Sequence, residues 1–257
     1  MTGVSRRRGI GFAIACRLAD AGANLFLQHF APHDRTQPWG ADDVDGVMAA
    51  VRARLTPGAR LEHTELDLAD AVAPSELVDR AVAAFGHLDV LVCNHARSGG
   101  DGRLMHLTSQ MLDGHWQVNT RSTLLATAAF AAQHDGRPGG RVVWLTSGQQ
   151  LGPMRDEIAY ATSKAALAGV TASVADDLVD RGIILNTVNP GPVNTGYLDP
   201  VSADRPLEVL EKIEAHFPGG GVGEPDDPAR LIAWLVTDDA RWVVGQVIST
   251  EGGFRRW

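Results

Sequence analysis

Tyr160-Ala161-Thr162-Ser163-Lys164 opens a long helix-type run. On a helix, positions four apart share a face, so a phenol and an ammonium stand within mutual reach. A neighbouring cation favours the phenolate and draws a phenol down from its ordinary value of about 10. Such a pair suits general acid/base work on a carbonyl/alcohol couple. Thirteen residues before Tyr160, Ser147 follows the strand-type run 141–146. Strand carboxyl ends face the crevice in sheets of parallel strands, so a hydroxyl there can donate to a substrate oxygen. A bare YxxxK occurs by chance in many helices. The strand-end serine and a glycine loop further upstream make chance a poor explanation.

That loop is Thr2-Gly3, five residues, then Gly9-Ile10-Gly11 running straight into a helix. Glycines let backbone approach a diphosphate closely, and the helix start offers unpaired N–H groups and a positive dipole end. Arg6, Arg7 and Arg8 stand inside it. Such a loop follows a strand in the folds that use it, and here only Met1 precedes it. The expectation is therefore a truncated first strand. An empty slot there would leave its neighbours about two strand spacings apart, with unpaired backbone groups.

The elements that position these residues alternate. Strand-type runs fall at 24–30, 61–66, 88–94, 141–146, 183–188 and 246–249, several of them nearly continuously apolar. Parallel strands covered on both faces read that way. Helix-type runs lie between them at 9–21, 42–54, 74–85, 108–132, 158–180 and 226–238, with Gly22, Gly86 and Gly182 as C-terminal caps. The alternation predicts a single α/β domain over 1–257, a doubly wound parallel sheet with helices on both faces, Rossmann-like in outline.

Composition excludes other classes. The 257 residues are 44% apolar and 21% charged with a net charge of −8, which supports a packed core rather than disorder. An acidic chain without a basic block suits neither nucleic acid nor an anionic membrane. No apolar run is long enough to span a bilayer. Cys16 and Cys93 each sit in an apolar stretch and read as buried thiols of a reducing, cytoplasmic compartment. The nine histidines show no zinc-type spacing, so no metal is expected.

In these motifs and their order, along nearly its whole length, the chain resembles the short-chain dehydrogenase/reductase family, with an outward likeness to its 3-oxoacyl-[acyl-carrier-protein] reductases. The resemblance implies a nicotinamide cofactor held by Gly3, Ser5, Arg6, Gly9, Ile10 and Gly11, in a loop two residues longer than the commonest form. It adds Asp67 and Leu68 near adenine, and Asn94 in Cys93-Asn94-His95-Ala96-Arg97, where the family's Asn-Asn-Ala-Gly is altered. Pro190, Val193 and Thr195, in Asn189-Pro190-Gly191-Pro192-Val193-Asn194-Thr195, match the segment that contacts nicotinamide. Asn119, Ser147, Tyr160 and Lys164 match a catalytic tetrad. In it Tyr160 exchanges the proton, Lys164 lowers the Tyr160 pKa and binds the nicotinamide ribose, Ser147 polarises the carbonyl and Asn119 holds a relay water. Residues 196–223 match a substrate flap. The substrate is then a small carbonyl or alcohol, possible 3-oxoacyl thioesters included, and the assembly a homodimer or homotetramer. The rival reading is a non-catalytic NAD(P)-binding sensor or a truncated inactive member; an intact Ser147, Tyr160 and Lys164 argue against it.

The end of the second strand reads Leu27-Gln28-His29-Phe30, with no carboxylate until Asp34. An acidic residue there usually takes the ribose 2′-OH of NAD. Its absence and the three loop arginines favour NADP(H) over NAD(H), unless Asp34 loops back to the ribose. His29, His33 and His95 are expected near the cleft. Trp39, Trp144 and Trp242 are expected to pack, and Trp257 to meet a subunit interface or fray.

Overall fold

The computed structural model describes residues 1–256. Six parallel strands form: β1 Leu25–His29, β2 Leu61–Glu65, β3 Val90–Cys93, β4 Gly140–Leu145, β5 Ile183–Asn189 and β6 Val247–Ser249. They divide into a pair, β1-β2, and a group of four, β3-β4-β5-β6. Residues 1–4 join the two. The Thr2 amide donates to Val92 O at 2.9 Å and the Val4 amide to Gln28 O at 3.0 Å, while Gln28 N donates to Met1 O at 2.9 Å. The expected gap is therefore filled at its carboxyl end, the end that faces the cleft.

Alternation along the strands divides the core. Val92, Val143, Leu145 and Val188 face Ile14, Leu18, Val47, Met48, Val51, Ile232 and Leu235. These come from α1 (Ile10–Asp20), α3 (Val44–Arg52) and α8 (Asp226–Leu235). Leu91, Cys93, Val142, Trp144, Ile183 and Leu185 face the other way, onto Ala126, Phe130, Leu167, Ala175 and Leu178. Those belong to α6 (Ser122–Gln133) and α7 (Ile158–Val179), and α4 (Ala73–Phe85) covers β1 on the same side through Leu77 and Phe26. Successive residues of a strand point to opposite faces, so strands clothed on both sides must be apolar throughout. The doubly wound reading holds. Gly86 ends α4 at φ +91°, a conformation that favours glycine.

Four details differ from expectation. A short helix, α2 (Ala31–Arg35), follows β1. The 108–132 run is broken: α5 (Ser109–His115) passes through a wide π turn at Trp116–Arg121 before α6 begins. Hydrophobic periodicity cannot reveal one extra residue in a turn. Trp242 does not pack and is 94% exposed, whereas Trp144 is buried with its indole N–H on Thr127 Oγ1 at 2.9 Å. Trp257 lies outside the described residues. Cys16, expected buried, is only half-buried on α1; it and Cys93 are free thiols, and burial pushes Cys93 up to about 12. Among the described residues no helix is long and apolar enough to cross a membrane.

Candidate active site

The cleft opens at the carboxyl ends of the strands. On one side, the glycine loop packs onto the end of β3. Gly3 sits at φ +74°, and a Cβ there would stand 2.8 Å from Asn94 Nδ2. A Cβ on Gly11 would meet Gly3 O at 2.3 Å. Asn94 donates to Gly3 O at 2.9 Å, which ties the loop to the strand end. Gly9 precedes α1 with no side-chain cap, Ile10 is its first residue, and no acidic residue occupies its first turn. This glycine-lined helix start with free N–H groups fits a dinucleotide diphosphate.

Arg6 and Arg8 are engaged through their guanidinium groups, Arg7 through its main chain. Arg6 donates to Thr195 O at 2.9 Å, lies 3.4 Å from Asp34 and stacks 5.5 Å over Trp39. Arg8 pairs with Asp199, and the Arg7 amide donates to Asp42 at 2.7 Å. Asp34 returns to the loop beside Arg6; burial nonetheless raises its pKa. His95 is a buried structural link: its Nδ1 accepts from Thr2 Oγ1 at 2.7 Å and its Nε2 donates to Val118 O at 2.9 Å. Burial pushes it down to about 3, so it is neutral. Leu68 belongs to the core and Asp67 caps its own turn through Ala69 N, so any adenine contact from Leu68 must come from its main chain.

On the other side stand β4, its carboxyl end and α7. Thr146 Oγ1 donates to Lys164 O at 2.7 Å, and Lys164 Nζ donates to Leu145 O at 2.9 Å. These two bonds fix Ser147 relative to α7. Lys164 is 2% exposed, and burial lowers it to about 8. Tyr160 is pushed above its ordinary value, first by burial and then by Glu157 and Tyr197; the nearby Ser147 hydroxyl acts against this. The expected lowering of the phenol by Lys164 is thus not present here: the ammonium is directed to the main chain of Leu145. Asn119, in the π turn, accepts from Arg97 N at 2.7 Å and donates to Arg97 O at 3.1 Å and Ser163 Oγ at 2.9 Å. Both N–H groups are engaged and the oxygen accepts from Arg97, so its carboxamide braces the wall.

Val193 is buried and pairs with Gly223; Asn194 N donates to Gly223 O at 2.8 Å and Gly223 N to Pro192 O at 3.0 Å. The two ends of 196–223 are thereby pinned together, with Pro190 and Pro192 lining a pocket beside Gly219–Gly223. From this excursion Arg205 reaches Glu157 at 3.5 Å and lies 5.3 Å over Tyr197, and Gln149 donates to Glu157 at 2.6 Å. Glu157 and Tyr197 stand near enough to act on the Tyr160 phenol, and none of these four residues carries a sequence motif. Asp101 and His115 were also not legible as site residues. Asp101 accepts from Ala159 N at 2.9 Å and Tyr160 N at 2.7 Å, and the His115 ring stands edge-on to Tyr160 at 6.0 Å. One signal existed: α7 begins at Ile158 with Glu157 before it, so its cap must come from elsewhere.

A family model described as enoyl-(acyl carrier protein) reductase matches residues 3–255. The uncharacterized oxidoreductase YjdA of Bacillus subtilis is 35% identical, covering 100% of this chain and 96% of its own. A short chain dehydrogenase from Burkholderia cenocepacia, solved in complex with NADP, superposes with a TM-score of 0.82 at 32% identity, over 98% of this chain and 96% of its own. A 3-oxoacyl-[acyl-carrier protein] reductase from Brucella melitensis gives 0.80 at 26% identity, over 98% and 94%. These likenesses run from the glycine loop through residues 196–223 to the last strand, well beyond a shared nucleotide-binding half. The chain belongs to the short-chain dehydrogenase/reductase family and is an NAD(P)-dependent oxidoreductase.

Proposed function

We propose that the chain interconverts a ketone and a secondary alcohol, with Tyr160 as general acid/base and Ser147, Lys164 and Asn119 around it. The observation that carries this is the Tyr160 phenol one helical turn from the buried Lys164 on α7, beside Ser147 at the carboxyl end of β4, with burial holding it above its ordinary pKa. A phenol held protonated is a proton donor, which suits the reductive direction. The bound nicotinamide supplies or accepts the hydride. Ser147 donates a hydrogen bond to the carbonyl oxygen and orients it. Tyr160 passes its proton to that oxygen as it becomes an alkoxide. Lys164, one helical turn on, supplies positive charge that steadies the phenolate left behind. Asn119 holds Arg97 and Ser163, and through them the wall. Gly3, Ser5, Gly9, Ile10, Gly11 and Asn94 would hold the diphosphate end of the cofactor, and Pro190, Val193 and Thr195 its nicotinamide end.

NADP(H) is the favoured cofactor, since no carboxylate ends β1 and the loop carries three arginines. The NADP-bound Burkholderia relative supports this. NAD(H) is the second reading, favoured by Asp34 against Arg6. Residues 196–223 act as the substrate flap, and a 3-oxoacyl thioester is the first substrate to try, by likeness to the Brucella protein. Exposed Leu112, Trp116, Leu125 and Val170 on α5–α7 support an assembly of two or four copies, a cytoplasmic one by the reading of its cysteines. Steady-state oxidation of NADPH and NADH over a panel of ketones and 3-oxoacyl thioesters tests the reading. Turnover with a carbonyl is expected, with the lower Kd for NADPH. Tight cofactor binding with no turnover on any carbonyl would favour the sensor instead.

A further inference from the structure

Tyr160 is the third residue of α7, so its backbone amide is one of the donors that a helix start leaves without an intrahelical acceptor. Glu157, immediately before the helix, gives no side-chain cap. The missing acceptor comes from the loop between β3 and α5. Asp101 Oδ1 accepts from Ala159 N at 2.9 Å and from Gly102 N at 2.7 Å, and Oδ2 accepts from Tyr160 N at 2.7 Å. Its side chain is 4% exposed. A carboxylate at a helix start also meets the positive end of the helix dipole. Burying such a group is unfavourable without several donors, and three N–H groups provide them here.

The loop that delivers Asp101 is itself held. His115, fully buried on α5, donates from Nε2 to Gly99 O at 3.1 Å, and the same nitrogen lies 4.0 Å from Asp101 Oδ2. Burial keeps this imidazole below its ordinary pKa. Its ring meets the Tyr160 ring edge-on at 86°. One turn on, Asn119 holds Arg97 at both N and O. On the far side of Tyr160, Ser163 Oγ donates to Tyr160 O at 2.7 Å and accepts from Asn119. Tyr160 is therefore gripped at its amide, ring and carbonyl, and all three grips lead back to residues 97–119.

We propose that Asp101 is the positioning residue of Tyr160: its carboxylate closes the first turn of α7 and sets the direction in which the phenol enters the cleft. His115 supports it by holding the loop at Gly99 and backing the phenol ring. Asp101 touches neither substrate nor cofactor; it acts through the Tyr160 backbone. A small displacement of a reacting group weakens catalysis far more than binding.

This inference rests on Tyr160 being the proton donor, so one arm of its test is independent of turnover. Amide hydrogen exchange is measured by NMR on the full chain as wild type, Asp101→Ala and Asp101→Asn. Asp101→Ala is expected to speed exchange at Ala159 and Tyr160 at least 10-fold, while Ala161, which donates to Glu157 O, changes less. In the second arm, with the best carbonyl from the panel, Asp101→Ala lowers kcat at least 10-fold and leaves the NADPH Kd within about 2-fold. Asp101→Asn keeps one acceptor and falls between; it carries the test if the alanine variant does not fold. Unchanged exchange at Tyr160 overturns the proposal whatever the activity. So does wild-type kcat in Asp101→Ala, or an equal loss of kcat and NADPH affinity. Faster exchange with no turnover in the wild type leaves the cap standing and removes the carbonyl reading.

Discussion

The two walls of the cleft are held by different physics. The wall carrying Ser147, Tyr160 and Lys164 is fastened by buried hydrogen bonds from Asn119, Ser163, Asp101 and Leu145. The wall carrying the glycine loop is tied to the end of β3 by Asn94, paired with α2 through Arg6 and Asp34, and strapped to the segment after β5 by Arg6 on Thr195 and Arg8 on Asp199. Arg8 is 59% exposed, whereas Lys164 is 2% exposed. Exposed ion pairs are screened by salt and contribute little, while buried donors left unpaired are costly. The comparison teaches that buried hydrogen bonds hold the proton-transfer groups, whereas the wall meant for a cofactor adds an exposed ion pair at Arg8.

The largest break should come at Lys164. Lys164→Met is expected to reduce turnover about 100-fold, the scale of a lost acid/base contribution. Burial lowers Lys164 to about 8, so its charge is lost as pH rises through that value. The wild-type rate of carbonyl reduction should therefore fall on the alkaline side of pH 8. Lys164→Arg, which stays charged, should flatten that limb in a pH–rate profile even at a lower maximum rate.

Asn119→Ala should come next. It leaves Arg97 N and O and Ser163 Oγ without their partner, and urea titration should show a loss of about 2–3 kcal/mol. A loss below about 0.5 kcal/mol would mean the brace is dispensable.

His95, where the two walls meet, gives a pH test of stability. Its folded value of about 3 lies below the ordinary 6.5, so between these the unfolded chain binds the extra proton. Stability should then fall as pH drops from about 6.5 toward 3, by up to about 1.4 kcal/mol per pH unit from this residue alone. His95→Asn should reduce that slope in denaturation curves taken across the window.

The smallest effect should be at Arg8. Arg8→Ala is expected to change stability by less than about 0.5 kcal/mol, with a difference that vanishes in high salt. A larger, salt-independent effect would place this strap with the buried wall and erase the contrast.

Most of the fold was legible because the sheet is clothed on both faces: continuous apolar runs such as 141–146 and 183–188 admit few other readings. The proton-transfer residues were legible because one turn of helix relates Tyr160 to Lys164. Asp101 and His115 were not, because their partners are 58 and 45 residues away and become neighbours only when β3, α5 and α7 come together. The π turn escaped since apolar spacing tolerates one extra residue. The loop arginines read as phosphate ligands; their carboxylate partners Asp34 and Asp199 come from other elements and carry no local mark.

The central claim is that Tyr160 moves the proton while the glycine-loop wall binds the cofactor independently. The most direct test loads wild type and Tyr160→Phe with NADPH, measures each Kd by fluorescence titration, and then follows NADPH absorbance after adding the best carbonyl. The account predicts matching Kd values and at least a 100-fold slower oxidation in Tyr160→Phe. Oxidation within a few-fold of wild type would contradict it.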